Sequence, residues 1–113
     1  DKNFLKNGGI DHNFSLFESN NEKPSASIFS SKTGMGVEYY TDQPGIQFYT
    51  GNMMKEKYNG KYKKNYGIQF GMCLETQIFP DAINQPNFPS IVLEKGNIYK
   101  SKTKIKLRND FLI

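Results

Sequence analysis

The sequence predicts an all-β chain, and three observations carry that expectation. Apolar and polar residues alternate with period two in several separate windows. No window sets apolar residues at three-and-four spacing between helix caps. Turn-forming Gly, Pro, Asn and Asp residues fall between the alternating runs. At 113 residues the chain is about one domain long. Nine Phe and seven Tyr supply large core residues, but a mean hydropathy of -0.67 requires a core that is economical or shared with another surface.

Ile10 to Phe17 reads as the first strand, with Ile10, His12, Phe14 and Leu16 on one face and Asp11, Asn13, Ser15 and Phe17 on the other. Ser25 to Ser31 and Gly36 to Thr41 follow, separated by the turn-rich Lys32-Thr33-Gly34. Asp42-Gln43-Pro44-Gly45 places Pro before Gly as a type II turn does, since Gly tolerates the positive φ required there. A strand should then put Ile46 and Phe48 on one side and Gln47 and Tyr49 on the other, ending at Gly51-Asn52. Tyr58-Asn59-Gly60-Lys61 carries the Asn-Gly pair of a tight hairpin, and the lysines around it mark a protruding, solvated loop.

Tyr66 to Gln77 is the most strongly patterned strand: Ile68, Phe70, Met72 and Leu74 alternate with Gln69, Gly71, Cys73 and Glu75. Three prolines between Phe79 and Pro89 exclude a central strand or long helix there, leaving an ordered loop. Ser90 to Leu93 reads as a short buried strand. Tyr99, Ser101, Thr103, Ile105 and Leu107 alternate with Lys100, Lys102, Lys104, Lys106 and Arg108, a strand with one packed and one solvated face.

Fifteen Lys plus Arg against eleven Asp plus Glu give a net charge of +4, short of the density of a dedicated nucleic-acid binder. The interleaved basic and aromatic residues of Lys55 to Tyr66 suit a solvated hairpin, so no nucleic-acid partner is expected. Cys73 is the single cysteine, which excludes an internal disulfide and a Cys-rich zinc site and makes a reducing, cytoplasmic setting the expectation. No apolar run approaches the roughly 20 residues of a spanning helix, and no membrane partner is expected. The chain starts at Asp1 with no charged segment leading into an apolar stretch, which reads as truncation or processing.

Glu75 sits on the polar side of its strand, where a carboxylate can act as a general base if its surroundings tune it; a plain surface charge is the commoner role for such a residue. Asp11 and Gln47 stand opposite core-type residues in the same way, and together the three resemble the floor of a polyol-binding cleft. His12 alternates onto the face opposite Asp11, as a structural histidine would. Core packing suits Phe48, Tyr49 is balanced between packing and sugar stacking, and Cys73 is expected to be a buried, inert thiol. Asp81 and Asn84 are expected to shape a loop rather than to catalyse.

Four collinear stretches make the reading more specific. They are Ile10-Asp11-His12-Asn13-Phe14, the run from Thr41 through Pro44-Gly45-Ile46-Gln47 to Asn52, Cys73-Leu74-Glu75-Thr76-Gln77, and Phe79-Pro80-Asp81 through Asn87-Phe88-Pro89. In order and approximate spacing they resemble the aldose 1-epimerase, or galactose mutarotase, family over nearly the whole chain. The resemblance implies a β-supersandwich of which residues 1–113 would be a C-terminal segment. It also implies Glu75 as catalytic base, with Asp11 and Gln47 holding a hexose such as galactose or glucose, and no metal or organic cofactor.

One departure limits what the chain can do. The family's acid histidine lies in an upstream Asn-His-x-Tyr-Phe-Asn motif, and a second active-site histidine lies further upstream; neither motif occurs here, and His12 is the single histidine. The isolated chain is therefore expected to be inactive and to need either the missing N-terminal part of its domain or self-association to cover its apolar surface. A noncatalytic carbohydrate-binding module and a hexose-6-phosphate 1-epimerase are the alternatives the residues leave open.

Overall fold

The computed structural model describes residues 8–16, 22–54 and 60–109. Phe17 of the first expected strand and Lys55 to Asn59 of the expected hairpin lie outside the described residues. The described chain is all-β. Its strands are β1 (Asp11–Ser15), β2 (Ala26–Phe29), β3 (Gly36–Thr41), β4 (Gly45–Tyr49), β5 (Cys73–Gln77) and β6 (Thr103–Arg108), with single 3-10 turns at Lys61–Lys63 and Ala82–Asn84. They form two three-stranded sheets, ordered β1-β4-β5 and β2-β3-β6. The chain divides into two compact units, Asp1–Phe14 with Ile46–Glu75 and Ser15–Gly45 with Thr76–Ile113.

In the second unit β3 is central and pairs antiparallel with both neighbours, Ile28 opposite Val37 on one side and Tyr39 opposite Ile105 on the other. Alternation along β6 holds, but the faces are used the other way round from the sequence expectation. Ile105 is 55% and Leu107 80% exposed, whereas the basic side chains are the partnered ones. Lys106 and Arg108 approach the Glu38 carboxylate at 4.0 and 3.4 Å, and the Lys104 ammonium lies 4.0 Å from the Tyr40 ring centroid. The cause is Glu38, buried on the central strand. A buried carboxylate needs partners, and Lys106 directly opposite it and Arg108 two positions further on supply them, together with the Tyr40 hydroxyl, which donates at 2.9 Å.

The turn after β2 is as expected: Gly34 takes a φ of +68° and its N–H reaches the Ser30 carbonyl at 2.9 Å. The bend before β4 is not a type II turn, because Gly45 lacks the positive φ and is already extended as the first residue of the strand. Side chains hold this bend instead. The Thr41 hydroxyl accepts the Gln43 N–H at 3.1 Å, and the Asp42 carboxylate accepts the Lys102 N–H at 2.9 and 3.0 Å.

Three further expectations are corrected. The strand expected from Tyr66 begins only at Cys73, since Gln69 has a φ of +62° and the Phe70 N–H turns back to the Gly67 carbonyl; Ile68, Phe70 and Met72 are left exposed. The tight turn expected at Asn59-Gly60, of which only Gly60 is described, lacks the positive φ it needs at Gly60, and a turn falls three residues later. Gly60 has a φ of -82°, while Tyr62 and Lys63 take positive φ and the Lys64 N–H bonds the Lys61 carbonyl. Ser90 to Leu93 is neither strand nor buried: the Ser90 hydroxyl captures the Val92 N–H at 3.2 Å, so the backbone donor a ladder would use is spent locally.

Candidate functional site

The first unit carries the polar residues singled out in the sequence. The Thr50 N–H bonds the Ile10 carbonyl at 3.0 Å, and the Leu16 N–H bonds the Pro44 carbonyl at 2.9 Å, so β1 and β4 run in opposite directions. With β4 between β1 and β5, residues 11, 13 and 15, residues 45, 47 and 49, and residues 73, 75 and 77 each share one face of their strand. The structure brings two of the three expected site residues into contact: Gln47 Nε2 donates to Asp11 Oδ1 at 2.7 Å. Gln47 is half-buried, and its Oε1 is enclosed with no hydrogen-bond partner among the described residues. Glu75 is not joined to that pair. It is exposed on β5, on the other side of β4 from Asp11, and its carboxylate forms no hydrogen bond or ion pair among the described residues.

The neighbouring candidates fall into place around these. His12 is half-buried on the opposite face of β1, and its Nδ1 accepts the Asp11 N–H at 3.2 Å. Phe48 is half-buried, in keeping with packing. The Tyr49 hydroxyl accepts the Met53 N–H at 2.9 Å and so holds the chain after β4. Cys73 corrects the expectation of a buried thiol: it is exposed, because it shares with Glu75 the open face of a strand that ends the sheet order. Asp81 has a left-handed φ of +61°, and its carboxylate accepts the side-chain amides of Asn84 and Gln85, which hold its pKa below the ordinary aspartate value. These residues shape the loop, where Phe79 and Phe88 meet edge to face at 5.0 Å. Among the described residues no group of three or more His, Cys, Asp or Glu side chains could hold a metal ion.

Sequence reasoning passed over two polar clusters. Gln43, treated only as a turn residue, is buried and donates to Ser101 Oγ at 2.8 Å and to the Tyr99 hydroxyl at 3.1 Å. Thr50 and Asn52, treated as the end of a strand, bond the backbone of Ile10 from 40 and 42 residues away. The sole local sign was a Thr-Gly-Asn sequence, in which a central Gly lets two polar side chains turn the same way.

The description of a protein family, aldose 1-epimerase, matches residues 1–106 of the chain. The chain belongs to the aldose 1-epimerase family. It is 47% identical over 98 residues to the galactose mutarotase of Rattus norvegicus and 44% identical over 98 residues to that of Homo sapiens, each alignment covering 87% of this chain. It is 30% identical over 99 residues, 85% of this chain, to the aldose 1-epimerase of Escherichia coli (strain K12). The chain spans 29% of the length of the rat and human relatives and 28% of the bacterial one.

Proposed function

We propose that this chain contributes the base and part of the sugar-holding surface of a hexose mutarotase, with Glu75 as the base and Asp11 and Gln47 holding the sugar. The observation that carries the reading is the Asp11–Gln47 hydrogen bond on the same sheet as an unpaired Glu75 carboxylate. An amide and a carboxylate in contact offer donors and acceptors to adjacent hydroxyl groups of a pyranose, and a free carboxylate can take the proton of the anomeric hydroxyl. In that reaction Glu75 removes the proton from the C1 hydroxyl as the bond from C1 to the ring oxygen breaks, and an acid delivers a proton to the ring oxygen. Rotation about C1–C2 and reclosure with the proton transfers reversed produce the other anomer. Proton transfer is the whole of the chemistry, and geometry supplies the rest.

The acid is a histidine that the family resemblance places upstream of the residues in this sequence. His12 lies on the other face of β1 from Asp11 and bonds backbone through Nδ1, which favours a structural role for it. The chain by itself therefore binds a hexose without turning it over, in a cytoplasmic setting, and the full reaction needs the region that carries the histidines. Binding without turnover in every setting is the second reading, that of a carbohydrate-binding module.

Polarimetry of α-D-galactose separates the two. The chain alone leaves the spontaneous rate unchanged. Mixed with the N-terminal part of the rat galactose mutarotase, the chain accelerates mutarotation, and Glu75→Gln removes the acceleration. Acceleration by the isolated chain overturns the claim of dependence. Acceleration by the mixture that survives Glu75→Gln overturns the base assignment. A mixture that assembles, binds galactose and stays inactive favours the binding module.

A further inference from the structure

The peptide unit that leads into Asp11 is held from both sides. On one side the Ile10 carbonyl accepts the Thr50 backbone N–H at 3.0 Å and Asn52 Nδ2 at 3.1 Å. On the other, the Asp11 N–H donates to His12 Nδ1 at 3.2 Å. The Ile10 N–H is occupied as well, donating to Thr50 Oγ1 at 2.8 Å, and the Thr50 hydroxyl donates in turn to Asn52 Oδ1 at 2.6 Å. Because a peptide unit is planar, fixing the Ile10 carbonyl fixes the direction in which the chain enters the Asp11 Cα. The Asp11 carboxylate then has little left to vary except its own χ angles, and it is that carboxylate which accepts from Gln47.

Two glycines make the clamp sterically feasible. A Cβ on Gly9 would collide with Asn52 Oδ1 and Thr50 Oγ1, so only a residue without a side chain lets the two polar groups approach. Gly51 takes a φ of +71°, which turns the chain so that residues 50 and 52 reach the same backbone, and a Cβ there would lie 2.7 Å from the Gly71 carbonyl oxygen. Neither Thr50 nor Asn52 bonds Asp11 or Gln47 directly, so they act through the backbone.

We propose that Asn52 and Thr50 are positioning residues that aim the Asp11 carboxylate, and through it the Gln47 amide, at a hexose hydroxyl; this rests on the sugar-holding reading of Asp11 and Gln47. Loss of the two side chains leaves the Ile10 carbonyl held by the Thr50 backbone N–H alone, so the strand stays in place while the Ile10–Asp11 peptide tilts about that bond. The Gln47 side-chain amide then loses its fixed acceptor, and galactose binding weakens about five- to tenfold, the worth of one net hydrogen bond.

The test uses the full chain, isotope-labelled, with the Gln47 side-chain amide protons as a reporter that needs no sugar and galactose titration as a second measurement. Asn52→Ala and Thr50→Val move the Gln47 amide signals to the position of a solvated glutamine and weaken galactose binding, while the circular dichroism of the strands stays unchanged. Thr50→Ser, which keeps the hydroxyl, leaves both readouts at the wild-type values. Where Asn52→Ala loses the strand signal, Asn52→Asp decides instead, since a carboxylate still accepts the Thr50 hydroxyl but cannot donate to the Ile10 carbonyl. Gln47 amide signals unmoved in Asn52→Ala or Asn52→Asp overturn the proposal, as does Thr50→Ser behaving like Thr50→Val. A wild-type chain that fails to bind galactose while its Gln47 amide responds to the variants refutes the sugar reading and upholds the positioning of the pair.

Discussion

Thr41 is fully buried at the end of β3, where its hydroxyl accepts the Gln43 N–H at 3.1 Å and shares a hydrogen bond with the Thr103 hydroxyl at 3.0 Å. Thr41→Val keeps the shape of the side chain and removes both interactions. Gln43 is itself buried, so its N–H is left without a partner, at a cost of about 1–3 kcal/mol. Thr103 is exposed, and water replaces the lost partner there, so that bond adds about 0.5 kcal/mol. The sum is about 1.5–3.5 kcal/mol, a large part of what a domain of this size has to lose. Thr41→Ser retains the hydroxyl and forfeits one methyl group, about 1 kcal/mol. Urea unfolding of the two variants beside the wild type, followed by far-ultraviolet circular dichroism, reads the difference. A Thr41→Val chain within about 0.5 kcal/mol of wild type, or a Thr41→Ser chain equally damaged, refutes the view that side chains hold the bend that leads into β4.

Three other outcomes are expected. In the complemented mutarotation assay, Glu75→Gln lowers the catalysed rate about 100-fold or more while galactose binding persists, the mark of a lost general base; an unchanged rate removes Glu75 from that role. The Tyr40 hydroxyl is held protonated above the ordinary tyrosine range, chiefly by its hydrogen bond to Glu38. A raised folded-state pKa stabilises at pH values below the unfolded value and loses that effect as pH rises through the folded value. Stability therefore falls on the alkaline side of pH 10, and Glu38→Gln, compared by thermal melts across that window, reduces the fall. Leu107 is 80% exposed on the apolar side of β6, so Leu107→Lys lowers self-association measured by light scattering; a wild-type chain that is already monomeric throughout refutes this.

The fold class and most strand positions were legible because period-two alternation is a local property. Gly36 to Thr41 shows this best, its bounds agreeing with those of β3. Extent was less legible. Tyr66 to Met72 alternates as well as a true strand does, yet alternation does not report whether a neighbour accepts the backbone hydrogen bonds, and at Gln69 the chain takes a positive φ and turns back on Gly67 instead. Ser90 to Leu93 failed for the same reason, with a serine hydroxyl supplying the competing bond. In β6 the pattern was correct and its use inverted. The sequence separates Ile105 and Leu107 from Lys104 and Lys106, but which side is partnered depends on Glu38, 68 residues before Lys106 and directly opposite it in register. Tyr40, Ile46 and Ala82 are the buried hydrophobic residues among those described, so the apolar side of β6 keeps the pattern of a packed face without a cover of its own.

The candidate site was more legible than the packing, and the physical reason is parity. Knowing that Asp11 and Gln47 stand on the polar sides of their strands requires neither the ends of the strands nor the residues that cover them, and once β1 and β4 pair, the two side chains meet at 2.7 Å. The clamp behind them has no such local signature. Thr50 and Asn52 sit where the alternation stops, and their polar groups are directed at a backbone 40 residues earlier by the positive φ of Gly51. A Thr-Gly-Asn triplet at a strand end is, on sequence alone, only a turn. Its reach becomes visible only when the peptide it grips is seen to precede Asp11, whose carboxylate accepts from Gln47, a juxtaposition set by strand pairing. Substituting Gly9 should therefore injure the site as much as substituting Asn52 does, although Gly9 has no side chain to place there: Gly9→Ala drives a methyl group into both clamp residues and displaces them from Ile10. A Gly9→Ala chain whose Gln47 amide signals match the wild type would contradict that account of why the two glycines and the two polar residues occur together.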